Sequence, residues 1–235
     1  MALRLLSVFA HPDDETSSSA GTMTGIIATG GDVQVISATR GELGTLGTGD
    51  LQVTREELPT VREQELRTVL RTYGVQHDPV FLGHRDQEVV NAPVENVAAQ
   101  VLEVMRAFDP DIVLTFGPLG ISRHEDHIAI HHAARLAFYE HLGSRRSGPE
   151  PRLLYVALSP DFSDFDFDLR GPDASPNVFV DVADYWQLKS GGLRLYRSQQ
   201  DAQEFASYLE ANFSACETFH QAYPPLVAGE IRLGL

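Results

Sequence analysis

Leu3-Arg4-Leu5-Leu6-Ser7-Val8-Phe9-Ala10-His11-Pro12-Asp13-Asp14-Glu15-Thr16 sets a short apolar run directly against a histidine, a proline and three consecutive acids. A run of this length, bounded by polar and rigid residues, reads as a buried strand handing over to a loop. A secretory signal is the competing reading, because Arg4 precedes the apolar stretch. It fails on three counts: Ser7 interrupts Leu5 to Ala10, no cleavage context follows, and the run leads into the most chemically loaded segment of the chain. A cytoplasmic location is therefore expected.

Similar strand-like runs recur at Val33 to Ala38, Pro79 to Leu82, Asp111 to Phe116, Leu153 to Leu158 and Asn177 to Val182. Helical patterns separate most of them: Thr60 to Tyr73, with Leu66, Val69, Leu70 and Tyr73 on one face, then Val97 to Phe108 and Ile128 to Leu142. Strands alternating with helices predict a mostly parallel α/β sheet, joined by right-handed crossovers and covered on both faces. In such sheets ligands sit at the carboxyl ends of the strands.

The 235 residues, 43% hydrophobic and 22% charged, suit one globular domain spanning 1–235, with no internal repeat or linker-like change in composition. No stretch approaches the roughly 18 unbroken apolar residues of a membrane span. Cys216 is the only cysteine, which excludes an intrachain disulfide and a thiolate cluster, so a metal would rely mainly on nitrogen and oxygen ligands. A net charge of −15 argues against a nucleic-acid partner, whose phosphates call for a basic face. Oligomeric state is not legible, and a homo-oligomer remains compatible with the chain.

His11, Asp13 and Asp14 fall where the first strand should open into the mouth of the sheet. Asp and Thr also cap helices, and Pro12 also stops strands, but capping uses one acid. Adjacent carboxylates beside a histidine repel one another unless a cation offsets them. The spacing alone leaves both readings open. A second loaded segment, Gly120-Ile121-Ser122-Arg123-His124-Glu125-Asp126-His127-Ile128-Ala129-Ile130-His131-His132, follows the strand Asp111 to Phe116 and opens at the same end of the sheet. The pattern becomes helical near Asp126, which puts His127 on a face with Ile130, Ala134 and Ala137. His131, four residues on, is the rival ligand.

Ala10-His11-Pro12-Asp13-Asp14-Glu15 together with His124-Glu125-Asp126-His127 resembles the PIG-L, or LmbE-like, family of N-acetylglucosaminyl deacetylases. Thr39-Arg40-Gly41-Glu42, Leu82-Gly83-His84-Arg85-Asp86, Thr115-Phe116-Gly117-Pro118 and Arg197-Ser198-Gln199 extend the likeness along the chain. The resemblance implies a Rossmann-like three-layer α/β fold with a mostly parallel sheet. It implies Zn2+, with Fe2+ or Co2+ as alternatives, held by His11, Asp14 and His127. Asp13 is then the general base for a metal-activated water, His124 assists the transition state or leaving group, Asp126 orients His124, and Arg62 and Asp86 contact an amino-sugar substrate. The implied activity is metal-dependent removal of an N-acetyl group from an N-acetylglucosamine-type conjugate. A thiol-sugar conjugate or another small amide is the alternative substrate. Two positions depart from the family pattern: Glu125 replaces a proline and adds negative charge, and Ser122 replaces a tyrosine, leaving the oxyanion donor unassigned.

Two readings of another class compete. A metal- or sugar-binding protein without catalysis would be expected to lack Asp13 or His124, and both are present. A nucleotide-binding module on a Rossmann-like sheet would need a phosphate-binding glycine pattern. Gly41, Gly44, Gly47 and Gly49 do not supply it, lacking both G-x-G-x-x-G and a following Gly-Lys-Ser/Thr. A mobile lid is the expectation for that loop.

Overall fold

Each apolar run becomes a strand in the computed structural model, which describes residues 2–144, 149–158, 171–214 and 216–235. The strands are β1 (Arg4–Phe9), β2 (Asp32–Ser37), β3 (Val80–Phe81), β4 (Ile112–Phe116), β5 (Arg152–Val156), β6 (Val178–Asp181), β7 (Cys216–Tyr223) and β8 (Arg232–Leu233). The helices are α1 (Asp14–Ala28), α2 (Leu58–Thr72), α3 (Val94–Phe108), the single turn α4 (Gly120–Arg123), α5 (Glu125–Ser144), α6 (Trp186–Leu195) and α7 (Gln200–Ala211). Among the described residues no helix is long and apolar enough to cross a membrane.

The sheet runs β3-β2-β1-β4-β5-β7-β6-β8. From β3 to β5 every pair is parallel, with Val8 opposite Ile36, Leu6 opposite Val113 and Leu114 opposite Leu154. β7 then pairs antiparallel with both β5 and β6. Leu5, Leu6, Val8 and Phe9 of β1 are at most 1% exposed, as expected of a central parallel strand covered on both faces. α3 buries Val97, Val101, Met105 and Phe108 at helical spacing and packs on α5, while α6 packs against α1, α2 and α7. The mostly parallel α/β architecture expected from the sequence is the one observed.

Strand order reverses between β1 and β4: β2 and β3 extend the sheet to one side of β1, and β4 and β5 to the other. The loops leaving two such adjacent strands splay apart, and the crevice between their carboxyl ends is where open α/β sheets bind ligands. The two histidine-bearing segments emerge at these ends.

Four helices (α1, the single turn α4, α6 and α7) and two strands (β7 and β8) escape the periodicity reading, and α1 shows why. Its sequence, DETSSSAGTMTGIIA, has no apolar stripe, yet Thr16, Ser18, Ser19, Ala20, Gly21, Thr22 and Met23 are all buried. Small residues let it lie close to its neighbours; a Cβ on Gly21 would sit 2.6 Å from Val182 Cβ. The helix breaks at Ser19 (φ −149°, ψ 20°), which exposes the first N–H groups of its second half. Glu217 of β7 accepts from Gly21 N at 3.1 Å and Thr22 N at 2.8 Å, and Lys189 of α6 donates to the same carboxylate at 2.8 Å.

Lys189 and Glu217 are 5% and 3% exposed. Removing one partner of a buried ion pair leaves the other uncompensated, at about 3–5 kcal/mol. Glu217→Ala is therefore expected to lower the unfolding free energy by about that amount, read as the shift of the urea midpoint at unchanged slope. A shift below about 1 kcal/mol would show that the helix break does not depend on this carboxylate.

Candidate metal centre

β1 ends at Phe9, and Asp13 turns the chain into α1 with φ 96° and ψ −26°, a left-handed conformation that Asp tolerates better than most residues. Asp13 occupies the N-cap position but makes no side-chain cap bond. Its carboxylate instead accepts from Arg62 Nη2 at 2.7 Å. Asp14 Oδ2 accepts the His11 N–H at 2.8 Å, closing the loop on itself. Glu15 points inward, accepting from Asp13 N at 3.0 Å, Thr16 Oγ1 at 2.5 Å and Tyr196 Oη at 2.6 Å.

The second loop is shaped by positive φ values at Gly120 (62°), Ile121 (62°) and Arg123 (60°). Gly120 is required by contact as well as by conformation, since an added Cβ would lie 2.8 Å from His127 Cβ. Its carbonyl accepts from His127 Nδ1 at 3.0 Å, which puts the ring's proton on Nδ1 and leaves Nε2 bare. His11 is oriented from the opposite side: its Nε2 lies 3.1 Å from Asp86 Oδ1 and 3.3 Å from Asp126 Oδ2, so Nδ1 faces the crevice.

Within the crevice His11 Nδ1 and His127 Nε2 are 3.3 Å apart, and each is 3.5 Å from an oxygen of Asp14. Ligands about 2.0–2.1 Å from a tetrahedral ion are separated by about 3.3–3.4 Å, which is the spacing of the two imidazole nitrogens; the Asp14 distances run to its two different oxygens, Oδ2 from His11 and Oδ1 from His127. Ring nitrogens backed by a carboxylate or carbonyl on their far side are the usual arrangement of metal-binding histidines. Among the described residues, the sets of three whose ligand atoms all lie within 4.8 Å of one another are His11, His124 and His127, and His11, Asp86 and Asp126.

The electrostatics ask for positive charge. Burial opposes a charge on His11, yet the hydrogen-bonded carboxylates of Asp126, Asp14 and Asp86 outweigh it and raise its pKa well above an ordinary imidazole's. Burial pushes Asp14 up, but His127 and His11 hold it well below the usual carboxylate range. Asp86 is likewise raised by burial and brought down, chiefly by His11, to about 2. Burial lowers His127 to about 4. Asp13 moves the other way: burial raises its pKa well above the ordinary value, Asp201, Asp14 and Glu15 add to the rise, and Arg62 opposes it.

The structure changes several of these expectations. Asp126 does not orient His124 through its carboxylate: the oxygens accept from Gln87 N at 2.7 Å and Val89 N at 3.0 Å and lie beside His11. It reaches His124 by its backbone, whose N–H donates to His124 Nδ1 at 3.2 Å and so leaves Nε2 as the nitrogen that can carry a proton. Arg62, expected on the substrate, is 4% exposed and donates to Pro12 O, Asp13 Oδ2 and Gly41 O. Asp86, also expected there, accepts from Leu43 N and adjoins His11. Both still border the hollow beside the cluster. His131 turns away to the carbonyl of Phe116, 2.8 Å from its Nδ1, and stands outside the cluster.

Glu125 is exposed and Ser122 borders the crevice, its Oγ 3.4 Å from His127 Nδ1. The Gly41–Gly49 loop is fastened rather than loose: Thr45 Oγ1 and Gly47 N donate to Ser198 O, and Thr48 Oγ1 to Arg197 O. Asp201, at the start of α7, borders the crevice as well. It was missed because an isolated acid in an unmarked helix carries no signal. Elsewhere His84 Nε2 meets Gln100, Arg85 pairs with Glu88, and Trp186 Nε1 donates to Leu209 O.

A family model described as GlcNAc-PI de-N-acetylase, PIG-L, matches residues 6–138. Among curated relatives, the 1D-myo-inositol 2-acetamido-2-deoxy-alpha-D-glucopyranoside deacetylase of Kineococcus radiotolerans is 34% identical over 156 residues, 55% of this chain and 43% of that protein. The mycothiol S-conjugate amidase of Streptomyces coelicolor is 31% identical over 153 residues, 58% of this chain and 52% of that protein. The match thus spans about half the length of these curated relatives. Among solved structures, the N,N'-diacetylchitobiose deacetylase of Pyrococcus horikoshii shares the fold, with a TM-score of 0.72 at 23% identity over 94% of this chain and 84% of that one. With the family match extending over more than half of its residues and both histidine-bearing loops inside it, the chain belongs to the PIG-L (GlcNAc-PI de-N-acetylase) family.

Proposed function

We propose that this protein is a divalent-metal-dependent hydrolase, with zinc as the first metal to test, that removes the N-acetyl group from an N-acetylglucosamine-type conjugate. The observation that carries the reading is the approach of His11 Nδ1 to His127 Nε2 at 3.3 Å, with an oxygen of Asp14 3.5 Å from each nitrogen. These three residues would hold the ion. When bound in such a ligand set, a divalent cation lowers the pKa of water to about 7 and polarises the amide carbonyl.

The chain's own groups supply the proton chemistry. Asp13 is the base, held by Arg62 Nη2 at 2.7 Å so that its carboxylate borders the hollow instead of capping α1. Arg62 is a positioning residue, and Gly41 makes room for it: a Cβ there would meet Arg62 Nη1 at 2.0 Å. His124 presents Nε2, the nitrogen its backbone contact leaves able to carry a proton, to the developing oxyanion or the departing nitrogen. Asp86 and Asp126 fix the ring of His11 and strengthen it as a ligand. An amide of a thiol-sugar conjugate is the second reading, favoured by the 31% identity to a mycothiol S-conjugate amidase. Acetate release from a panel of N-acetylglucosamine conjugates, run with and without a chelator, separates the two. No release from any member with metal bound would turn the assignment to the second.

His11→Ala is expected to lose both stoichiometric metal and turnover, whereas Asp13→Ala keeps the metal and loses about 10²–10⁴-fold in kcat. Metal analysis beside the acetate assay reads both, and full activity in Asp13→Ala would remove it as the base.

Asp126→Asn is expected to weaken metal affinity or activity by about 10–100-fold, as loss of a carboxylate behind a ligating histidine does. Competition with a chelating dye measures the affinity; unchanged affinity together with unchanged turnover would leave Asp126 without the role given it here.

A further inference from the structure

Two hollows share a border at the candidate metal centre. One, of about 250 Å³, is walled largely by polar groups, among them Arg62, Asp86, Gln87, His124 and Gln199. The other, of about 260 Å³, has a largely hydrocarbon wall formed by Phe116, Ile121, Val156, Leu158, Leu193 and Phe205. Asp13, Asp14, Ser122, His127 and Asp201 border both. An amide whose carbonyl carbon sits at these shared residues therefore has one substituent available to each hollow: the polar, sugar-bearing nitrogen side and the acyl side.

An acetyl methyl fills only a small part of the apolar cavity, since one water occupies about 30 Å³ and a cavity of about 150 Å³ lined by aliphatic and aromatic side chains takes benzene. On that scale about 260 Å³ has room for a straight chain of roughly six carbons. The wall is also built at a cost. Ile121, a β-branched residue, is held at φ 62° and ψ −61°, the strained geometry of a γ-turn. Strain of this kind persists where surrounding structure over-determines it, often at ligand clamps. Here it sets Ile121 in the cavity wall and Ser122 at the mouth.

Resting on the deacylase reading above, we propose that the apolar cavity is an acyl subsite, and that N-acyl amino sugars with straight chains of about four to six carbons are better substrates than the N-acetyl compound. In the reaction the amide C–N bond breaks and a C–O bond to water forms. The acyl group leaves as a carboxylate, and the amine takes up the proton. Each methylene transferred from water to the cavity contributes at most about fourfold in kcat/KM.

The test measures amine release, a readout common to every chain length, by the zinc-loaded protein acting on N-acetyl-, N-butanoyl- and N-hexanoylglucosamine. Hexyl N-acetylglucosaminide is added to ask whether the cavity serves the aglycone instead. The hexanoyl compound is expected to exceed the acetyl compound in kcat/KM by at least about tenfold, below the additive transfer ceiling. Ala202→Phe, which intrudes on the cavity from α7, is expected to lower that ratio at least about tenfold. Cleavage of N-acetylglucosamine with no gain on lengthening the acyl chain overturns the subsite and leaves the deacylase reading standing. A gain confined to the hexyl glycoside likewise overturns it. Absence of cleavage for every amide, with metal bound, overturns both.

Discussion

Asp13, Asp14, Asp86 and Asp126 gather around His11 at the closed end of a crevice, three of them within 3.5 Å of its ring nitrogens. Carboxylates brought this close repel one another, and burial removes the water that would screen them. The arrangement is tolerable only if positive charge sits among them. Arg62 neutralises Asp13, and the raised pKa of His11 shows the remaining field drawing charge onto the imidazole itself. A divalent cation bound there would answer the same demand, since His11 Nδ1 and His127 Nε2 are about one tetrahedral edge apart and each has an oxygen of Asp14 at 3.5 Å.

The rest of the molecule can be understood as what holds that crowd in register. Parallel β1 and β4 deliver the two loops side by side at the point where the strand order reverses. Local backbone then aims the side chains: left-handed Asp13 turns its carboxylate toward Arg62, and Gly120 offers its carbonyl to His127 where a Cβ would collide with that residue. Behind His11 stands a further set of contacts, with Asp86 and Asp126 on its ring and backbone N–H groups of Leu43, Gln87 and Val89 on those carboxylates. The Gly41–Gly49 segment is part of this support: tied to Arg197 and Ser198, it holds Leu43 against Asp86 and Gly41 against Arg62.

This support redistributes roles among the polar residues. Arg62 and Asp86 stand beside the hollow, but Arg62 donates to Asp13, Pro12 and Gly41, and Asp86 is engaged by His11 and Leu43, so substitutions at either would act through Asp13 or His11. The two hollows meeting at the cluster differ in chemistry, one largely polar and one largely hydrocarbon, and an amide is the kind of bond whose two sides can differ in the same way.

The amino-acid sequence by itself determined the alternation of strands and helices, the parallel core, and the identity of both loaded loops. Those features rest on local signals: apolar runs with a fixed period, and acids and histidines dense enough to demand an explanation. It left α1 and β7 unmarked for a physical reason. α1 is buried through small Ser, Thr and Gly residues, and the inward positions of β7 are Glu217, Phe219 and Gln221, so neither carries the apolar period that reveals an element. Only the tertiary structure decided that Asp126 backs His11, that His131 faces the Phe116 carbonyl, that Arg62 belongs to Asp13, and that Asp201 and an apolar cavity adjoin the cluster. Each is a contact between segments distant in the chain, made by the pairing of β1 with β4 and the packing of α2, α6 and α7 around it, and no periodicity encodes which nitrogen a carboxylate will find.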